Sequence, residues 1–164
     1  MLSDIVINIL EDGLFAALAA IGFSSISNTP RRAYLICALL AAAGHSLRYV
    51  LMLPDVAVMH IIPASALSAF AIGMLAVLLA PRIKCPPEVC FFPALLPMIP
   101  GMYAYRTIQY LLTTLCHTGE EAFQHYFYLF VYNGLTSTFI ISGMVVGATL
   151  PVFLFKKLSF TATC

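Results

Sequence analysis

The chain has 164 residues, of which 62% are hydrophobic and 9% charged, and its mean hydropathy is +0.97. A soluble domain carries roughly a quarter charged residues, so this composition excludes an ordinary water-facing globular protein and indicates an integral membrane protein. The formal net charge of +1 and the lack of a basic cluster predict no binding to nucleic acid.

Five apolar segments provide the run of about 20 helical residues that a hydrocarbon core requires. The predicted spans are residues 5–27, 33–53, 57–80, 91–115 and 128–155, within one transmembrane domain of residues 1–164. The first span is predicted to be retained, because the start of the sequence lacks the basic region of a signal peptide and carries Asp4, Glu11 and Asp12 instead. The apolar runs are continuous and do not alternate, so we expect an all-α protein instead of a barrel.

The loops predict the orientation of these spans. The first and third loops and the segment after the last span hold pairs of basic residues (Arg31 and Arg32, Arg82 and Lys84, Lys156 and Lys157). The second and fourth loops hold only acidic charges, at Asp55, Glu120 and Glu121. Basic loops stay in the cytoplasm, which predicts an N-terminus outside and a C-terminus inside.

Two arginines, Arg48 and Arg106, fall within apolar segments, where a charge costs about 3 kcal/mol and usually faces a cavity or a partner. At about 1.5 Å per residue, both lie about 22 Å from the cytoplasmic face, and Asp12 lies about 24 Å from it. His45 precedes Arg48 by three residues on the same helix face, and Asn133 lies at a similar level. We predict one polar layer, in which Asp12, His45 and Arg48 serve ion coupling or structure. Alternatively, the arginines extend to the interface.

The fourth segment holds three prolines in eight residues, Pro93, Pro97 and Pro100, followed by Gly101. Each proline lacks an amide donor and clashes with the preceding turn, so we predict that the fourth helix is broken between Pro97 and Gly101. Pro100 lies about 14 Å from the cytoplasmic end of the span, near the middle of a core about 30 Å thick. Irregular backbone at that depth must be buried in protein or line a cavity. The alternative is a proline kink that only shapes packing.

Transporters bind solutes at such broken helices. A helix that restarts near Met102 directs its free amides and positive dipole end at the break. Arg106 adds a formal charge, so the segment predicts a site for an anion such as a carboxylate. The predicted substrate-binding residues are Pro97, Pro100, Gly101, Tyr105, Arg106, Asn133 and Thr136.

The stretch Pro97-Met98-Ile99-Pro100-Gly101-Met102-Tyr103-Ala104-Tyr105 resembles the PMxPGxxAY motif of the threonine/serine exporter family. Further residues are similar to those of the smaller, YjjB-type subunit of that family: Gly22, Phe23, Asn28, Pro30, Arg32, Ala33, Cys37, Gly44, His45, Arg48, Asn133, Leu135, Thr136, Gly147 and Pro151. The resemblance covers nearly the whole chain with consistent spacing.

The resemblance implies a subunit of a secondary transporter in the bacterial inner membrane. Its substrates would be small carboxylate metabolites, either amino acids of the threonine and serine type or dicarboxylates such as succinate. It also implies a larger, YjjP-type membrane subunit as partner, because this chain is too short to hold both halves of the fused family members.

Two other functions are open, a non-catalytic assembly subunit of a membrane complex and a membrane enzyme. The sequence disfavours the enzyme, since it contains no HExxH, no GxSxG and no pair of membrane aspartates placed for proteolysis. The five cysteines are an odd number, and Cys85 and Cys90 share a loop without the further ligands of a zinc site. We therefore predict no metal and no cofactor.

Overall fold

The structure, a computed structural model, describes residues 2–54, 56–117 and 119–155. The α-helices in these ranges are α1 (Leu2–Ile26), α2 (Tyr34–Met52), α3 (Ile61–Leu79), α4 (Pro87–Leu95), α5 (Gly101–Cys116) and α6 (Glu120–Leu154). Short 3-10 turns join several of them, and the described residues contain no strand. Asp55, Lys156 and Lys157, which support the predicted orientation, lie outside the described residues.

Four helical stretches are long and apolar enough to cross a membrane, namely Ser3–Ile26, Arg31–Met52, Ile61–Ile83 and Glu120–Leu154. A shorter apolar stretch covers Pro87–Met98. Large apolar side chains such as Leu10, Phe15 and Leu35 are mostly exposed, as expected for helices that face lipid tails. The prediction of an all-α membrane protein with about five apolar helices is therefore confirmed.

The chain divides into two compact units. The first contains the residues up to Met98 and those from Gly143 onward, and the second contains Ile99–Ser142. Each unit contains one part of α6, which is 35 residues long.

Small residues bring the helices of the first unit close together. A Cβ atom added to Gly73 of α3 would collide with the backbone of Ala148 in α6. One added to Gly44 of α2 would collide with the side chain of Ile72 in α3. Glycine and alanine at helix contacts are typical of membrane proteins, because they let the backbones approach and gain van der Waals contact.

The second unit is a hairpin of α5 and the first part of α6. The rings of Tyr110 and Tyr126 stack with their centroids 6.4 Å apart, and a Cβ atom on Gly134 would lie 3.3 Å from Thr107. The more covered residues of α5 recur at helical spacing, at Tyr103, Thr107, Tyr110 and Thr114. Most residues between these positions, including Arg106, are exposed.

The proline-rich segment breaks the helix, as predicted. α4 ends at Leu95, a 3-10 turn covers Leu96–Met98, and α5 begins at Gly101. Pro100 has φ −76° and ψ 62°, which lies outside the helical region. The Gly101 amide donates to the Ile99 carbonyl at 2.8 Å, so the helical hydrogen-bond pattern is interrupted at this point.

Candidate functional site

Three ionisable side chains in the first unit form a connected polar chain. Oδ2 of Asp12 lies 2.6 Å from Nδ1 of His45, and Nε2 of His45 lies 3.0 Å from Nη2 of Arg48. Nη1 of Arg48 donates to the carbonyl oxygen of Met98 at 3.0 Å. The polar chain thus runs from α1 through α2 to Met98, the last residue of the 3-10 turn that follows α4.

The local sequence explains why these side chains meet. His45 and Arg48 are three residues apart on α2, so they lie side by side on one face. Gly13, next to Asp12, lets α1 approach α2, since a Cβ atom there would lie 2.8 Å from Oγ of Ser46. The Ser46 hydroxyl in turn donates to the Ile9 carbonyl at 3.3 Å. This close contact brings the Asp12 carboxylate within reach of the imidazole.

Donor and acceptor chemistry assigns the protons of the polar chain. A guanidinium nitrogen can only donate, so Nε2 of His45 accepts from Arg48. In a neutral imidazole the other nitrogen, Nδ1, then carries the hydrogen and donates to Asp12. With Asp12 as a carboxylate and Arg48 as a cation, the two charges balance. The His45 side chain is 15% exposed and that of Asp12 is 30% exposed, so both side chains are partly buried.

The Met98 carbonyl has no hydrogen-bond donor from its own helix, because the proline-rich segment (residues 93–101) interrupts that helix. In a continuous helix this oxygen would accept from the amide of Met102, four residues later. The break removes that donor, and an unsatisfied carbonyl at membrane depth is unfavourable. Arg48 supplies the replacement hydrogen bond from a different helix. Sequence reasoning did not identify Met98, because its side chain is apolar and only its backbone takes part.

The predicted substrate-binding residues before and after the break fall in different units. Pro97 is half-buried in the 3-10 turn of the first unit, whereas Pro100 is buried and Gly101 exposed at the start of α5 in the second. A Cβ atom on Gly101 would meet nothing within 4 Å. Tyr105 and Arg106 are exposed on α5, away from its contact face with α6.

Asn133 and Thr136, also predicted to bind substrate, are buried on α6. The Asn133 amide donates to the Leu129 carbonyl of its own helix at 2.7 Å. Of the five residues predicted in one polar layer, the structure joins Asp12, His45 and Arg48. Arg106 and Asn133 belong to the second unit and take no part in the polar chain.

Two buried hydroxyls lie on α3. Ser65 and Ser68 are fully buried, and their Oγ atoms have no hydrogen-bond partner among the described residues. Ser68 lies one turn before Ile72, which faces Gly44 of α2. In the described part of the chain, no group of three or more His, Cys, Asp or Glu side chains is placed to hold a metal ion.

Comparison with known proteins assigns the chain to a family. The family model described as "Threonine/Serine exporter, ThrE" matches residues 12–154, which include every candidate residue above. An uncharacterised protein of Haemophilus influenzae is 34% identical over 151 residues, which cover 92% of this chain and 49% of that protein. The chain therefore spans about half the length of this curated relative. No solved structure matches the chain.

Proposed function

This chain belongs to the threonine/serine exporter family, and we propose that it is a subunit of a secondary transporter that exports small carboxylate metabolites. The proposed substrates are amino acids of the threonine and serine type or dicarboxylates such as succinate. The proposed location is the bacterial inner membrane, with the N-terminus outside and the C-terminus inside.

The broken helix is the observation that carries this proposal. Ala104 donates its amide to the Pro100 carbonyl at 3.1 Å, which is the first hydrogen bond of the α5 pattern. The amides of Met102 and Tyr103 precede it and have no intrahelical acceptor. These amides and the positive end of the helix dipole favour a negatively charged group. Gly101 has no side chain that would fill the space beside them.

Exposed side chains on α5 extend this anion-binding region. Arg106 lies about one turn beyond the first amides, and Tyr105 next to it is 63% exposed. We propose that they bind the substrate carboxylate together with the backbone at Pro100 and Gly101, which belong to the same unit. Asn133 and Thr136 complete the proposed substrate-binding set. The family is a transporter family, and we propose no enzymatic activity for this chain.

A partner subunit is part of the proposal. Because the chain covers only 49% of its Haemophilus relative, we propose that a larger, YjjP-type membrane protein supplies the other half of the transporter. The same observation favours the second candidate function, in which this chain only supports assembly and the substrate site lies in the larger half.

A cysteine at Gly101 tests whether the break is reached by water and solute. The background replaces Cys116, which is exposed, and Cys164, which lies outside the described residues, by serine. Gly101→Cys should react with a water-soluble thiol reagent, and added threonine or succinate should slow that reaction. Gly22→Cys in α1 is the matched control, because a Cβ atom there also meets nothing within 4 Å. Its reaction should not respond to the solutes.

Transport itself is tested in a strain that lacks this chain and its larger partner. Threonine, serine or succinate should accumulate inside those cells, and both proteins together should restore export. Variants at Pro97, Pro100 and Arg106 separate the two candidate functions. If export survives these changes while the complex still assembles, the substrate site lies in the partner and this chain is an assembly subunit.

A further inference from the structure

We infer that Arg48 is a positioning residue, which fixes the 3-10 turn Leu96–Met98 by capping the Met98 carbonyl while Asp12 and His45 hold its guanidinium in place. The hydrogen bonds of this polar chain were described above. Its consequence for solute passage rests on the proposed function, but the positioning itself does not.

The guanidinium is held at two points. Nη1 contacts Met98 and Nη2 contacts His45, each at 3.0 Å. Because the guanidinium is planar, two contacts at different terminal nitrogens restrict both its position and its orientation. The ammonium of a lysine has one nitrogen and cannot reproduce this two-point arrangement, so Arg48→Lys should keep the charge but only part of the positioning.

The Asp12 and His45 side chains act on the break only through Arg48. Asp12 orients the imidazole from Nδ1, which leaves the lone pair of Nε2 directed at the guanidinium. It also balances the charge of Arg48 within the first unit. Among the described residues, neither side chain forms a hydrogen bond with Met98, so their removal should loosen Arg48 without directly removing the cap.

The effect of replacing Arg48 should depend on whether the helix is broken. Arg48 is needed at Met98 only because Pro97 and Pro100 prevent the helix from supplying a backbone donor. In a Pro97→Ala/Pro100→Ala variant the helix can continue, and the Met102 amide can satisfy the Met98 carbonyl. The loss of stability caused by replacing Arg48 should then be smaller. No such dependence is expected for an arginine outside the polar chain.

A double-mutant cycle tests this dependence. Arg48→Met should lower the apparent Tm of the purified protein by several degrees, and should lower it much less in the Pro97→Ala/Pro100→Ala background. Arg48→Lys should restore part of the loss. Arg106→Met is the matched control, since Arg106 is exposed, and its effect should be the same in both backgrounds. Equal effects of Arg48→Met in the two backgrounds would overturn the inference.

Labelling of Gly101→Cys separates positioning from simple stabilisation. Arg48→Met should change the labelling rate at this site severalfold, and His45→Leu should do so to a smaller extent, while the rate at Gly22→Cys stays constant. The double-mutant cycle could show that the effect of Arg48→Met depends on the prolines while the labelling rate of Gly101→Cys stays unchanged. Arg48 would then only stabilise the fold, and its positioning role would be overturned. A cysteine at Gly101 that reacts in no background would contradict the proposed function, and the cycle would then decide the inference alone.

Discussion

The guanidinium of Arg48 donates a hydrogen bond of 3.0 Å to the carbonyl of Met98, across fifty positions of sequence. The bond links an arginine within an apolar helix to the backbone that the proline-rich segment leaves free. Each of the two groups would be unfavourable alone in a membrane, one as a charge and the other as an unsatisfied acceptor. Their pairing explains how a membrane arginine can accompany a carbonyl that the helix break leaves without a helical donor.

Replacement of His45 should weaken the polar chain according to the atoms that the new side chain retains. His45→Leu removes both imidazole contacts and leaves Asp12 and Arg48 without their partner, which should cost about 1–3 kcal/mol of stability. His45→Gln keeps an acceptor that can reach Arg48, so its loss should be smaller. Thermal unfolding of the two purified variants measures the difference. Equal stability of His45→Leu and the parent protein would contradict the importance of these contacts.

Two glycine-to-alanine substitutions should differ in their effect on stability. Gly73→Ala places a Cβ atom against the backbone of Ala148, and backbone cannot give way easily, so we expect a loss of about 1–3 kcal/mol. Gly22→Ala meets nothing within 4 Å and should be neutral or stabilising by up to about 1 kcal/mol, because alanine favours the helix. Both glycines are helical, which makes the pair a matched comparison. The measurement is the apparent Tm of each variant, and a stable Gly73→Ala protein would show that α3 and α6 are less closely packed.

The helices and the break were predictable from the sequence, whereas the partners of the polar residues were not. The length of an apolar run and the spacing of prolines are local features of the sequence. The helix is broken at Pro97 and Pro100, as that spacing predicts. Counting along each helix placed Asp12, Arg48 and Arg106 at similar depth, but depth does not determine which helices are neighbours or how each is rotated. The acceptor at Met98 is a backbone atom that becomes available only through the break, so no residue type indicates it.

Removal of an unpartnered buried hydroxyl should not harm stability. The Oγ atom of Ser68 is buried without a hydrogen-bond partner in the described structure, and leaving such a group unsatisfied costs about 1–3 kcal/mol. Ser68→Ala should therefore leave the Tm unchanged or raise it. Ser24→Ala is the contrasting variant, since the Ser24 hydroxyl donates to the Ala20 carbonyl at 2.7 Å. A marked loss of stability in Ser68→Ala would indicate that this hydroxyl binds an ordered water or solute.

Arg106 should affect solute handling without affecting folding. Its side chain is exposed on α5, and substitutions at such positions usually change stability by less than about 0.5 kcal/mol. If Arg106 binds the substrate carboxylate, Arg106→Gln removes a charge-assisted hydrogen bond of about 1.5–3 kcal/mol and should raise the KM for export about tenfold or more. Arg82→Gln, at an exposed arginine of the loop after α3, is the control and should leave the KM unchanged. Export assays in vesicles containing this chain and the proposed larger subunit supply the two values. An unchanged KM in Arg106→Gln, with a normal amount of complex, would remove Arg106 from the substrate site and leave the helix amides at Met102 and Tyr103 as its proposed anion-binding groups.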